Sequence, residues 1–190
     1  RPDPTARLST GKYVALLPGS RKQEILSSMP IFEALSLEMP ELDFFVAGVS
    51  EWKEEYANYS IPVIFDKTYQ VLHKAQAAIV TSGTATLETA LFRVPEIVCY
   101  KGSAISYAIA KQLIKVKYIS LVNLIMDKPI VKELIQNELT TENIKIELNE
   151  LLYNEARKKQ YKDDTDDLYE LLSTGGRASQ KAAAIVQQIL

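Results

Sequence analysis

Two short segments of this sequence bring together residue types that suit an anionic ligand. The first is Pro18-Gly19-Ser20-Arg21-Lys22-Gln23, which places a glycine, a hydroxyl and a guanidinium in consecutive positions. Glycine lets the backbone approach a ligand closely. A helix starting behind it would present free N–H groups and the positive end of its dipole. Arg21 adds a planar fork matched to phosphate oxygens. The chemistry served is phosphate or pyrophosphate binding. The Gly-Lys-Ser/Thr ending of a Walker A loop is absent. A reading without a ligand also stands here, because Ser20 and Gln23 have the spacing of a capping box.

The second segment is Thr81-Ser82-Gly83-Thr84-Ala85-Thr86-Leu87-Glu88. Hydroxyl residues flank one glycine at the start of an apolar helical pattern, again a setting for a phosphate at a helix N-terminus. Glu88 follows Thr84 by four residues, which puts both on one helix face. A carboxylate one turn into the helix can accept two hydrogen bonds from a ribose diol. Glu88 equally fits a solvent-facing helix carboxylate. It is not a capping-box partner, since Ala85 stands three residues before it.

Other reactive residue types read as structural. The single cysteine, Cys99, lies in the apolar run Glu96-Ile97-Val98-Cys99-Tyr100 and reads as a small buried hydrophobe. The single histidine, His73, lies in a helical stretch over 69–75 and reads as structural or surface. The run Asp163-Asp164-Thr165-Asp166-Asp167 lacks the glycine and terminal glutamate of an EF-hand loop. It is expected to be a solvated loop and helix cap rather than a metal site.

The elements that must position the two segments follow from hydrophobic periodicity. Strands are expected at 13–17, 42–47, 62–65, 77–80 and 97–100. Helices are expected at 23–37, 51–59, from 68, from the Gly83 turn through 92, at 103–115, 130–137, 141–159 and about 177–190. Residues 118–122 read as extended, and Gly175-Gly176 reads as a stop before the last helix. This alternation predicts an α/β fold, a Rossmann-like parallel sheet with helices on both faces. In such sheets ligands bind at the carboxyl ends of strands. Both segments fall there, after Leu17 and after Val80.

The bulk numbers exclude several classes. The 190 residues suffice for one well-packed α/β domain, with 1–12 reading as a linker and 13–190 as the domain. A formal net charge of −2 argues against generic nucleic-acid binding, so no nucleic-acid partner is expected. One cysteine forbids an intrachain disulfide and fits a reducing compartment. No stretch of about 18 apolar residues is present to span a bilayer. No signal peptide is visible.

The strings Leu16-Leu17-Pro18-Gly19-Ser20-Arg21, Ser82-Gly83-Thr84-Ala85-Thr86-Leu87-Glu88 and Tyr118-Ile119-Ser120-Leu121-Val122-Asn123-Leu124 resemble, in order and spacing, the lipid-A-disaccharide synthase family. The resemblance runs from about Tyr13 to the end. It implies one half of a GT-B fold, in which two Rossmann-like domains face each other across a cleft. It implies transfer of 2,3-diacylglucosamine from UDP to 2,3-diacylglucosamine 1-phosphate, with no metal or other cofactor. The matched half is the C-terminal, nucleotide-sugar-binding one. The catalytic carboxylate and acceptor side belong to the family's N-terminal half, so no catalytic residue is expected here and the chain alone is expected to be inactive.

Carried over by position, the resemblance sets Gly19, Ser20 and Arg21 against the diphosphate. Ser82, Gly83, Thr84 and Ala85 form a second phosphate-facing turn, with Thr86 beside them. Glu88 holds the ribose, and Asn123 falls in a polar cleft motif. Val122 stands where many members have proline, and Lys101 where arginine is common. Lysine keeps the charge but loses bidentate geometry. The implied partners are UDP-2,3-diacylglucosamine, the lipid acceptor and the protein's own N-terminal domain. The implied place is the cytoplasm, at the inner face of the inner membrane. The stretch 101–121, with Lys111, Lys115 and Lys117, reads either as a core helix with a basic edge or as a surface touching anionic lipid. Two other classes stay open: a different UDP-sugar GT-B transferase or epimerase, and an interaction module that binds no nucleotide.

Overall fold

A computed structural model describes residue 8 and residues 12–81, 83–101 and 117–173. The helices expected at 103–115 and 177–190, and the Gly175-Gly176 stop, lie outside the described residues. The chain alternates strand and helix. It runs β1 (Tyr13–Leu17), α1 (Lys22–Glu38), β2 (Asp43–Gly48), a 3-10 turn (Ser50–Trp52), α2 (Lys53–Tyr56), β3 (Val63–Phe65), α3 (Thr68–Leu72), β4 (Ala77–Thr81), α4 (Thr84–Leu91) and β5 (Glu96–Tyr100). Then follow α5 (Leu121–Met126), β6 (Lys132–Ile135), a 3-10 turn (Gln136–Glu138), α6 (Thr141–Tyr153) and α7 (Glu155–Ser173).

The six strands form one sheet in the order β3-β2-β1-β4-β5-β6, and every neighbouring pair is parallel. This is the doubly wound order of a Rossmann-like fold, and the α/β expectation holds. The strand sequences show why. All five residues of β1 are buried, yet they alternate between two cores. Val14 and Leu16 face one core with Ile25, Met29, Phe32 and Leu35 of α1 and Ile144 and Leu148 of α6. Tyr13, Ala15 and Leu17 face the other, with Val71 and Leu72 of α3 and Leu8. A parallel sheet covered on both faces needs apolar residues at both phases of the strand. Each fully buried Leu or Ile contributes about 1.5–3 kcal/mol of transfer free energy. A third cluster joins Ala90 of α4, Val122 and Ile125 of α5, and Tyr161 and Leu168 of α7 beside β5.

Four expected elements differ. Residues 51–59 do not form one helix; a 3-10 turn hands over to the single turn of α2. Residues 118–122 are not simply extended. Ser120 caps α5, its hydroxyl accepting the Asn123 N–H at 3.3 Å, and helix begins at Leu121. Residues 130–137 do not form an α-helix, and only 136–137 enter a short 3-10 turn. Residues 132–135 form edge strand β6, registered against 97–100 of β5, and they satisfy that strand's free edge. The helix expected over 141–159 is two. It breaks at Asn154, whose φ −89° and ψ 102° leave the helical region and whose side chain accepts the Arg157 N–H.

The acidic run 163–167 is also not a loop or a cap. It lies inside α7, where Asp164 is buried and paired with Lys128. Asp166 pairs with Arg93 at 2.8 Å and with Lys162 at 3.1 Å. Neighbouring cations, Lys162 on the same helix and Arg93 and Lys128 outside it, offset the repulsion that makes such a run look unfit for a helix.

Candidate functional site

The sheet order places the two glycine-containing turns side by side. Strands β1 and β4 are hydrogen-bonded neighbours, with Leu17 opposite Val80, so the turns that follow them leave the same edge of the sheet together. The chain order reverses between these strands, and this is the switch point at which open α/β sheets bind ligands. A buried hydrogen bond couples the two sides. Ser28 Oγ of α1 and Thr81 Oγ1 at the end of β4 lie 3.1 Å apart.

The first turn is shaped by Gly19, at φ +97°, a conformation that favours glycine. Helix α1 starts at Lys22, with Arg21 as its N-cap. The expected capping partners do not form the cap. Glu24, not Gln23, closes it, and its Oε2 accepts the N–H of Ser20 at 3.1 Å and of Arg21 at 3.2 Å. The boundary lies one residue later than the Ser20 spacing implies. Arg21 is 84% exposed and only 3.5 Å from the Glu24 carboxylate, a distance typical of a weak surface pair. Lys22 is engaged elsewhere, with Glu55 and over the Trp52 ring.

The second turn centres on Gly83, the N-cap of α4, at φ +147°. Open space surrounds the position a Cβ would take there. Ser82 lies outside the described residues. Thr84 is exposed and Ala85 half-buried. Thr86 is fully buried, and its hydroxyl donates to the Gly83 carbonyl at 2.8 Å, so its role in this geometry is to shape the turn. Glu88 is half-buried on α4, one turn beyond Thr84, and no described residue hydrogen-bonds to its carboxylate. The structure therefore brings Gly19, Ser20, Arg21, Gly83, Thr84 and Ala85 to one edge, with Glu88 one turn behind.

Asn123 is placed differently. Its side chain is buried, and its amide is used up internally. Oδ1 accepts the N–H of Ile130 at 2.8 Å and of Val131 at 3.0 Å. Nδ2 donates to the Val131 carbonyl at 2.9 Å and to Glu133 at 3.0 Å. These partners sit at the start of β6, two strands from β4. Glu133 also accepts from the N–H groups of Ile119 and Ser120 and from the Ser120 hydroxyl. Asn123 and Glu133 together fasten α5 to β6.

Residues that sequence reasoning missed are mostly polar clamps. No motif in the sequence marks Glu24 or Glu133. Trp52, whose indole N–H donates to the Ser20 carbonyl at 3.2 Å, gave no signal because its partner is 32 residues away. The i, i+4 relation of Ser20 to Glu24 was the one legible trace. Glu96, at the start of β5, is 1% exposed, and neither of its oxygens has a hydrogen-bond partner. Burial pushes its carboxyl well above the usual range. Cys99 is buried, and burial pushes its thiol up to about 12, in line with an inert role. His73 is exposed at the end of α3. Among the described residues no cluster of three or more His, Cys, Asp or Glu could hold a metal ion.

The family model described as lipid-A-disaccharide synthetase matches residues 6–189. Lipid-A-disaccharide synthase of Psychromonas ingrahamii is 44% identical over 154 residues, covering 74% of this chain and 40% of that protein. The same enzyme of Syntrophus aciditrophicus is 37% identical over 181 residues, 89% of this chain and 47% of that one. The chain thus spans about half the length of the curated relatives it matches.

Among solved structures, the glycotransferase of kitacinnamycin is similar with a TM-score of 0.55 and 18% identity, over 93% of this chain and 43% of that one. The C-terminal CMP-Kdo binding domain of WaaA from Acinetobacter baumannii is similar with a TM-score of 0.53 and 16% identity, over 87% of this chain and 95% of that one. At these identities the likeness concerns the fold, a Rossmann-like domain of the kind that forms one half of a GT-B fold.

Proposed function

Because this chain belongs to the lipid-A-disaccharide synthetase family, we propose that it is the nucleotide-sugar-binding half of a transferase moving 2,3-diacylglucosamine from UDP to 2,3-diacylglucosamine 1-phosphate. The observation that carries this reading is the pairing of the two glycine-containing turns at the β1/β4 switch point. Gly19, Ser20 and Arg21 receive the diphosphate. Gly83, Thr84 and Ala85 form the facing turn, held in shape by Thr86, and Ser82 is assigned to the same diphosphate. Glu88 takes the ribose hydroxyls. Asn123 supports the cleft from behind by fixing α5 to β6.

The chemistry follows from charge. A departing UDP gathers negative charge as the glycosidic bond breaks. Preorganised donors aimed at that charge lower the barrier most. The Arg21 guanidinium and the N-termini of α1 and α4 supply positive potential at one edge of the sheet. Removal of the proton from the acceptor hydroxyl falls to the part of the protein that this chain does not span. The domain is read as residues 13–190, with 1–12 leading into it from an acceptor-side half. Contact with the inner face of the inner membrane is part of the same reading, since both substrates are lipids. No described helix is long and apolar enough to cross a membrane.

Calorimetric titration of the chain with UDP tests the proposal. Saturable heat and a rise in melting temperature are expected. A folded chain that shows neither would point to a module that binds no nucleotide. Comparing UDP-2,3-diacylglucosamine with UDP-N-acetylglucosamine as donors, in the protein joined to its acceptor-side half, tests the substrate. A preference for the unacylated donor would contradict the assignment.

A further inference from the structure

Ser20 is held on both sides of its backbone by two side chains from outside the turn. Glu24 Oε2 accepts the Ser20 and Arg21 N–H groups, while its Oε1 faces the Arg21 guanidinium at 3.5 Å. The Trp52 indole N–H donates to the Ser20 carbonyl at 3.2 Å. The Trp52 ring packs against the core that contains α1, and Lys22 covers it. Gly19 makes room for this arrangement. A Cβ there would lie 2.3 Å from Glu24 Oε2 and 2.8 Å from Glu24 Cβ. A side chain at position 19 and Glu24 in its present place therefore exclude each other.

We propose that Glu24 and Trp52 are positioning residues that preset the turn at residues 19–21 for the donor's diphosphate, Glu24 acting through its hydrogen bonds and not its charge. The proposal rests on reading that turn as the diphosphate site. The clamp leaves free what a diphosphate needs. The Arg21 side chain stays 84% exposed, and the first-turn N–H groups of α1 have, as at any helix start, no intrahelical acceptor. The negative charge of Glu24 by itself opposes a diphosphate, so its benefit must come from the shape it imposes. Its N–H contacts of 3.1 and 3.2 Å are longer than the roughly 2.7–2.9 Å of strong charge-assisted bonds. Its pairing with Arg21 is solvent-screened. A neutral amide oxygen can accept the same two N–H groups.

The test is calorimetric titration of the 190-residue chain with UDP and with inorganic pyrophosphate, for the parent chain, E24A, E24Q, W52F and R21A, at a temperature where all are folded. W52F is expected to weaken both ligands by about tenfold, the worth of one lost hydrogen bond, and E24A, which removes two, by about tenfold or more. E24Q is expected to stay within about threefold of the parent, the rescue that a hydrogen-bonding role predicts and a charge role does not. If E24A fails to fold, E24Q and W52F carry the test. Parent-like affinity in W52F together with parent-like or tighter affinity in E24A overturns the proposal. So does an E24Q variant that falls as far as E24A, or, where E24A does not fold, one that weakens about tenfold. Failure of the underlying reading has a different signature: no UDP binding by the parent, or R21A binding UDP as well as the parent does.

Discussion

At the scale of single residues, groups open to a ligand stand apart from groups spent on structure. Arg21 is exposed just after β1 and Glu88 is half-buried on α4, and neither carries a strong internal partner among the described residues. Arg21→Ala and Glu88→Ala are each expected to weaken UDP binding by about tenfold, while circular dichroism and the melting temperature stay close to the parent. Unchanged affinity in both would remove the site assignment. Glu96 belongs to the other group. Its carboxyl is buried without a partner, near the Tyr161 hydroxyl, which donates to the Val94 carbonyl. Burial raises its folded pKa above the unfolded value. The folded state therefore binds the extra proton. The stability this contributes is full below the ordinary glutamate pKa and is lost as pH rises through the raised one. Glu96→Gln is expected to flatten the fall in melting temperature between mildly acidic and alkaline pH. An identical pH profile in the variant would show that Glu96 does not titrate in this way.

At the scale of elements, what was legible depended on whether a segment's partner was local. Strand β1 and helix α1 could be read directly, because an apolar run ends at Pro18-Gly19 and a helical period follows. Strand β6 could not. Lys132-Glu133-Leu134-Ile135 has too few residues to show a period, and its reason for being extended is the free edge of β5, more than 30 residues earlier. Helix α5 was hidden for a similar reason: its cap and its clamp come from Ser120 and Glu133, on either side of a turn. Both turns of the candidate site were legible because a glycine at a strand end is a local signal. Glu24 and Trp52 were not, because their contacts depend on where the helix starts and how β2 returns. Asn123→Ala is expected to cost about 2–4 kcal/mol, because it strips four hydrogen bonds from a buried junction and leaves backbone groups unpaired. Chemical denaturation measures this. A loss below about 0.5 kcal/mol would mean that α5 does not depend on that junction.

At the scale of the whole molecule, a doubly wound sheet fixes where a ligand is taken up but not which reaction follows. Family membership supplies the candidate reaction, and the chain spans about half the length of its relatives. On the proposed function, the donor side and the proton acceptor belong to different halves. The 190-residue chain is expected to bind UDP yet to form no disaccharide when given both substrates. Product formation by this chain alone would contradict that division. The central claim is that the turns after β1 and β4 grip one ligand together, and amide hydrogen exchange with and without UDP tests it most directly. Slowed exchange is expected at residues 20–24 and at 84–86 in the same UDP concentration range, with α7 unchanged. Protection confined to one turn, or appearing only at the β6 side around Asn123, would contradict it.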